Sequence, residues 1–216
     1  MKITACRLQV TAFRPEAFPR DGRPGVAFMG RSNVGKSSLI NRLLGRRGLA
    51  PVSKSPGRTR AIGFYLVNDR IYFVDLPGYG YARVPGSLRQ HWKGLVEAYL
   101  EGPWRPDLAV QLVDARHGPT DLDLELLSWL RSRAIPRQIV LTKSDDLPAS
   151  RTRALSRNAP GCDWPPGETP LPVSAVTGLG IPVLWRAIDQ ACRATGREPP
   201  RRGMAMRTSD LANPNV

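Results

Sequence analysis

The sequence predicts a three-layer α/β domain, a mostly parallel six-stranded sheet with helices on both faces. Three observations carry this. Short apolar runs alternate with longer stretches of helical periodicity between Val26 and Ile188. The first run, Val26-Ala27-Phe28-Met29, leads straight into Gly30-Arg31-Ser32-Asn33-Val34-Gly35-Lys36-Ser37, which has the G-x-x-x-x-G-K-[ST] form of a phosphate-binding loop. Two later runs end in polar motifs, Asp75-Leu76-Pro77-Gly78 and Thr142-Lys143-Ser144-Asp145, where a parallel sheet places its ligand.

At 216 residues the chain fits one domain with a proper core. Residues 1–24 read as an N-terminal extension, 25–195 as a nucleotide-binding domain and 196–216 as a basic tail without periodic pattern. No run of 18 apolar residues is present, so no membrane helix is expected. Met1-Lys2-Ile3-Thr4-Ala5-Cys6-Arg7 lacks the apolar block of a signal peptide. Cys6, Cys162 and Cys192 are odd in number and far apart, as expected of free thiols in a reducing cytoplasm. His91 and His117 are isolated, which disfavours a histidine metal or catalytic pair. The net charge is +14, and residues 1–60 alone carry +11 of it. That bias points to an acidic partner, nucleic acid first; plain solubility of an arginine-rich chain is the alternative.

Ile3 to Phe13 is mixed and reads as an added edge strand, followed by a loop through Pro15, Pro19 and Pro24. After the phosphate loop, Leu39, Ile40, Leu43 and Leu44 make the apolar face of a helix ending near Gly45. Arg46 to Arg60, with Pro51, Pro56 and Gly57, should be a mobile basic loop. Two β-rich runs, Ala61–Val67 and Arg70–Asp75, flank Asn68-Asp69 and predict a hairpin. A flexible turn over Tyr79-Gly80-Tyr81-Ala82 precedes a helix from Ser87 to Leu100, with Leu88, Trp92, Leu95, Val96 and Tyr99 on one stripe. Asp107–Asp114 is a strand. Thr120 and Asp123 form an acidic capping box for a helix whose stripe is Leu122, Leu126, Leu127 and Leu130. A strand over Arg137–Leu141, a helix over Leu147–Ser156, a short strand over Leu171–Val173 and a helix over Gly180–Ala194 complete the pattern. Trp104 and Trp164 fall in loop stretches, where they could be exposed.

The motif chemistry is specific. The glycines Gly30 and Gly35 let successive N–H groups, from Arg31 through Ser32, Asn33 and Val34 to Ser38, turn towards a polyphosphate. Lys36 supplies a point charge for the outer phosphates, and the Ser37 hydroxyl suits Mg²⁺. Asp75, at a strand end, can reach that ion through water, and Gly78 can bring its N–H close to the terminal phosphate. Thr59, carried by the basic loop, could complete the Mg²⁺ shell when a triphosphate is present; an ordinary surface threonine is the alternative. Asp145 can accept hydrogen bonds from guanine's imino and amino groups, a donor pair that adenine lacks. Lys143 can lay its stem over the purine, and the Ala175 N–H, beside Ser174, can donate to the guanine carbonyl.

With these stretches in order, the chain resembles a translation-factor-class GTPase. It is most similar to the EngB family of bacterial ribosome-biogenesis GTPases. The resemblance rests on Gly30 to Asn41, on Ser55-Pro56-Gly57-Arg58-Thr59 and above all on Asp75-Leu76-Pro77-Gly78-Tyr79-Gly80-Tyr81-Ala82. It implies a Ras-like G domain that binds GTP and GDP with Mg²⁺. It also implies nucleotide contacts from Pro56 through Thr59 and from Thr142 through Asp145. The further implication is a role in assembling the large ribosomal subunit in the cytoplasm, in contact with ribosomal RNA, and so in normal growth and division. A monomer is expected. The chain departs from the family at Ser144, often alanine there, and at Arg60 and Gly63.

Lys36, Thr59, Gly78 and Asn33 are the candidate catalytic residues. In Ras-like GTPases a glutamine after the equivalent of Gly78 orients the attacking water. Tyr79 stands there in this chain, which predicts slow intrinsic hydrolysis awaiting another element. One such element is K⁺, because Asn33 resembles an asparagine that holds a monovalent cation in related GTPases; a turn-stabilising role for Asn33 is equally open. The ribosomal particle is another. Two other functions stay open on the residues alone: a P-loop ATPase or kinase, and a non-catalytic RNA-binding factor using GTP as a ligand.

Overall fold

A computed structural model describes residues 2–51, 61–79, 86–157 and 164–197, with the backbone alone described at 86–92. The sheet has strands β1 (Cys6–Ala12), β2 (Gly25–Gly30), β3 (Ile62–Val67), β4 (Ile71–Asp75), β5 (Leu108–Asp114), β6 (Arg137–Thr142) and β7 (Leu171–Pro172). The helices are α1 (Lys36–Leu44), α2 (Gly86–Glu101), α3 (Asp121–Ser132), α4 (Ala149–Ser156) and α5 (Ile181–Ala194). The sheet order is β1-β3-β4-β2-β5-β6-β7, seven strands where six are predicted. The seventh is β1, which pairs antiparallel with β3 and slips register between Leu8 and Val10. Its mixed composition suits an edge, where one face and one row of backbone groups stay wet.

Only β3 runs against the others, because the β3–β4 hairpin reverses the chain in a tight turn. Asn68 (φ 51°) and Asp69 (φ 52°) both take the left-handed conformation that such a turn needs. The two faces of the sheet follow from strand alternation. Val26 and Phe28 of β2 pack with α1 and α5 through Leu39, Leu43, Leu184 and Ile188. Ala27 and Met29 pack on the opposite side with Leu95 and Tyr99 of α2 and Leu130 of α3. Hence there are three layers.

Four expectations are corrected. Leu122 is 43 % exposed while Asp123 beside it is 2 % exposed, so the buried stripe of α3 begins with the capping carboxylate. Trp164 is buried with Val113, Leu127 and Leu141, and α4 adds Leu155 to the same cluster. Trp104 is half-buried, edge-on to Phe18, with the Arg20 guanidinium over its ring. Of the turn expected to be flexible over 79–82, Tyr79 is instead held in a bridge to Arg31; residues 80–82, the Leu88 and Trp92 side chains, Cys162 and the tail at 198–216 lie outside the described residues. Among the described residues no helix is long and apolar enough to cross a membrane.

Candidate functional site

The parallel strands β4, β2, β5 and β6 all end at one edge. The chain runs from β2 to β3 and β4 on one side, then crosses to β5, β6 and β7 on the other. The reversal opens a crevice beyond β2, where such sheets bind ligands. Every described candidate residue lies on that edge or in the loops that leave it.

The phosphate loop closes between Gly30, the last residue of β2, and Lys36, the first of α1. Gly30 has no room for a side chain: a Cβ would lie 2.8 Å from the Leu112 carbonyl oxygen. Gly35 takes φ 101° and Asn33 φ 64°, so the loop turns its amides inward. Among the described residues the N–H groups of Asn33 and Gly35 have no hydrogen-bond partner. The first turn of α1, which includes Ser37 and Ser38, adds further open N–H groups and the positive end of a helix dipole. Arg31 and Ser32 form the outer wall. Val34 turns its side chain into the core, while its carbonyl accepts from Thr142 Oγ1 at 2.7 Å.

Lys36 is almost buried and pairs with the Asp75 carboxylate at the end of β4. A buried carboxylate facing an ammonium is already a cation site. Asp75 and the Ser37 hydroxyl are hard oxygen donors that fit Mg²⁺, which takes few protein ligands and completes its shell with phosphate and water. Among the described residues no cluster of three or more His, Cys, Asp or Glu could hold a metal. Thr59, and with it Pro56, Gly57 and Arg58, lies outside the described residues.

The base side is built on β6. The one Thr142 hydroxyl hydrogen is shared with the Val113 carbonyl, 3.1 Å away, which ties the loop to the sheet. Lys143 adopts φ 56°, and its Nζ donates to the Asn33 carbonyl at 2.9 Å and to Asp114 Oδ2 at 2.8 Å. Its stem therefore lies across the phosphate loop, with Cε 3.9 Å from where a Cβ on Gly35 would stand. Ser144 is buried and donates to the Leu141 carbonyl at 2.7 Å, which fixes the backbone of the turn.

The three acids near Lys143 divide sharply. Asp114 takes Arg116 through Nε at 2.9 Å and Nη2 at 2.8 Å, besides Lys143. Burial pushes the Asp114 carboxyl up, but the bonds from Arg116 and Lys143 outweigh it and hold the group far below the usual carboxylate range. Asp146 pairs with Arg116 at 3.3 Å. Asp145 is exposed and, among the described residues, has no hydrogen-bond or ion-pair partner. Its carboxylate is thus open to a ligand's donors. Across from it, Ser174 Oγ accepts from the N–H groups of Val176 at 3.1 Å and Thr177 at 2.9 Å. The Ala175 N–H between them has no partner among the described residues.

One acceptor for an imino–amino pair, one donor for a carbonyl, and a phosphate loop joined to both by Lys143 and Thr142 describe a guanine nucleotide. Comparison with known proteins agrees. Residues 25–143 match the model of a family described as 50S ribosome-binding GTPase. A probable GTP-binding protein EngB of Solibacter usitatus is 43 % identical over 189 residues, covering 86 % of this chain and 95 % of that protein. The chain belongs to the EngB family of GTP-binding proteins. The EngB relative in Thermotoga maritima is 46 % identical over 190 residues, covering 88 % of this chain and 97 % of that one. A crystal structure of a probable EngB GTP-binding protein superposes with a TM-score of 0.63 at 27 % identity, over 79 % of this chain and 99 % of that one. EngB membership and the Ras-like G-domain fold make this chain a GTPase, and set aside the ATPase or kinase reading.

Two features of this EngB protein escaped the sequence reading. Asp114 holds Lys143 in place, yet its only signal is an acid at the end of β5, parallel to Asp75 at the end of β4. Tyr79 turns away from the crevice, its hydroxyl donating to Asp123 Oδ1 on α3 at 2.6 Å. Burial first, and then the Asp123 charge, push that hydroxyl's pKa far up, so it stays protonated. Away from the site, burial pushes the Cys192 thiol up to about 12, as befits an inert thiol.

Proposed function

We propose that this EngB protein is a slow cytoplasmic GTPase that acts as a switch on the large ribosomal subunit or its precursor, in contact with ribosomal RNA. The observation that carries the proposal is the match over residues 25–143 to a family described as 50S ribosome-binding. The net charge of +14 supports an acidic partner independently.

In this reading the residues divide the work as follows. Asp145 and the Ala175 N–H read guanine, Lys143 covers its face, and Thr142, Ser144 and Ser174 fix the loops that carry them. Within the expected run from Arg31 to Ser38, the open amides of Asn33, Gly35 and the first turn of α1 hold the α- and β-phosphates, while the Ser32 and Val34 N–H groups are spent on the Tyr79 and Arg31 carbonyls. Lys36 leaves Asp75 for the β- and γ-phosphates. Ser37, Asp75 and Thr59 would hold Mg²⁺, which would supply positive charge to the phosphate oxygens. Water attacks the terminal phosphorus, the bond to the bridging oxygen breaks, and GDP leaves with that electron pair. Gly78 presents its N–H to the terminal phosphate. No side chain at position 79 orients the water, because Tyr79 is committed to Asp123. A missing positive charge near the bridging oxygen then limits the rate. Asn33 is the candidate to hold K⁺ there: its side-chain amide has no partner among the described residues, and its left-handed backbone equally suits a turn.

The test is GTP hydrolysis with and without purified large-subunit particles, each in K⁺ and in Na⁺ buffer. Particles should raise the rate by 10-fold or more, on the order of what completing a transition-state charge contributes. K⁺ should raise it over Na⁺, and Asn33→Ala should remove that difference. Equal rates with and without particles would overturn the switch proposal. Equal rates in the two salts would leave Asn33 a turn residue only.

A further inference from the structure

Residue 79 is tied down at both its backbone and its side chain. The Tyr79 N–H donates to the Gly30 carbonyl at 3.3 Å, and the Tyr79 carbonyl accepts from the Ser32 N–H at 3.1 Å. This bridge between Arg31 and Tyr79 extends the parallel β2–β4 pairing past the strand ends. It presses Gly78 onto the phosphate loop, where a Cβ would stand 3.2 Å from both Ser32 N and Ser32 Oγ. The side chain leaves the other way, to α3.

Its acceptor there is no ordinary surface acid. Asp123 is 2 % exposed. Its Oδ2 accepts from the Thr120 N–H at 2.9 Å and from Thr120 Oγ1 at 2.7 Å, which caps α3. Its carbonyl accepts from Gln111 Nε2, in the middle of β5, at 2.6 Å. One buried carboxylate therefore serves the helix cap with one oxygen and Tyr79 with the other. The cap alone would need neither the tyrosine hydroxyl nor its 2.6 Å bond.

We propose that the Tyr79–Asp123 hydrogen bond is a latch that positions Gly78 against the phosphate loop and so raises the affinity for GTP relative to GDP. Tyr79 is a positioning residue, and the inference rests on the reading that the Gly78 N–H meets the terminal phosphate. A group already held in place loses less freedom on binding, so the latch favours the one ligand that reaches Gly78. Reciprocity follows: a terminal phosphate on Gly78 stabilises the latch and with it the N-terminus of α3. That end of α3 becomes a place where nucleotide state is displayed.

The experiment measures affinities for GDP and for a non-hydrolysable GTP analogue, with Mg²⁺, in four variants beside the parent. Tyr79→Phe should lower the analogue-to-GDP affinity ratio about tenfold, the scale of one hydrogen bond to a charged group, with GDP affinity unchanged. Asp123→Asn should lower the ratio too, and the double variant should be no worse than Tyr79→Phe, since both remove one bond. Gly78→Ala separates the two claims, because its Cβ would crowd Ser32. If Gly78→Ala lowers the ratio and Tyr79→Phe does not, the latch is wrong and the Gly78 contact stands. If Gly78→Ala leaves the ratio unchanged, the Gly78 contact is wrong and the latch falls with it. A Tyr79→Phe variant that loses GDP and analogue binding alike would make the bond merely structural.

Discussion

Asp145→Asn is expected to lower GTP affinity by roughly 10²- to 10⁴-fold while leaving the fold intact. The carboxylate is exposed and holds no partner among the described residues, so its removal breaks nothing internal. What it removes is two charge-assisted hydrogen bonds to guanine's imino and amino groups, each contributing about 1.5–3 kcal/mol. The asparagine also points an N–H at a purine edge that offers only donors. ATP affinity, low in the parent, should stay low, so selectivity collapses from the guanine side. A purine nucleotide carrying oxygen in place of the amino group should recover affinity, because the new amide can donate to it. Asp146→Asn is the control: that acid pairs with Arg116 at 3.3 Å on the surface, and such pairs contribute at most about 1 kcal/mol. Binding titrations with GTP, ATP and the oxygen-bearing analogue decide it. Undiminished GTP affinity in Asp145→Asn would remove the base-reading role.

How much of this was legible in the sequence depends on distance along the chain. The phosphate loop spans eight consecutive residues, and its glycines and lysine sit where the pattern places them. The hairpin at Asn68-Asp69 and the capping box of Thr120 with Asp123 are equally local, and both form. Contacts between distant segments were invisible. The bond from Tyr79 to Asp123 spans 44 residues, and that from Lys143 to the Asn33 carbonyl spans 110. Nothing in the periodicity of α3 says that Asp123 is needed twice. Its burial turns the helix enough to leave Leu122 outside. The seventh strand was legible as an added edge, but its partner and register were not. Cys6–Ala12 has the composition of an edge, and only the structure pairs it with β3.

The largest loss of stability is expected from a residue that carries no chemistry. Gly180→Ala should lower the unfolding free energy by about 2–5 kcal/mol, the sum of a left-handed backbone penalty and forced overpacking. Gly180 caps α5 at φ 71°, and a Cβ there would lie 2.0 Å from the Pro172 carbonyl oxygen and 2.9 Å from Val173 Cγ2. Neither is a flexible side-chain end: the first is backbone, and Val173 is buried in the main core. Relief must therefore come from moving the start of α5 away from β7. That motion drags the turn between them, in which the Ser174 N–H donates to the Leu179 carbonyl at 3.0 Å and the Gly178 N–H to the Ser174 carbonyl at 3.0 Å. The Ala175 N–H sits in this turn, so the guanine site should loosen as the fold weakens. At about 2–4 °C per kcal/mol for a domain of this size, thermal unfolding should fall by roughly 10 °C. Gly196→Ala separates the two causes, since Gly196 has φ 62° but open space around its Cβ position. It should cost only the backbone part, about 1–2 kcal/mol. If Gly180→Ala and Gly196→Ala melt together, the close approach of α5 to β7 contributes nothing. A large gap between them, with GTP affinity reduced only in Gly180→Ala, would mean that helix packing on β7 holds the base-reading turn in place.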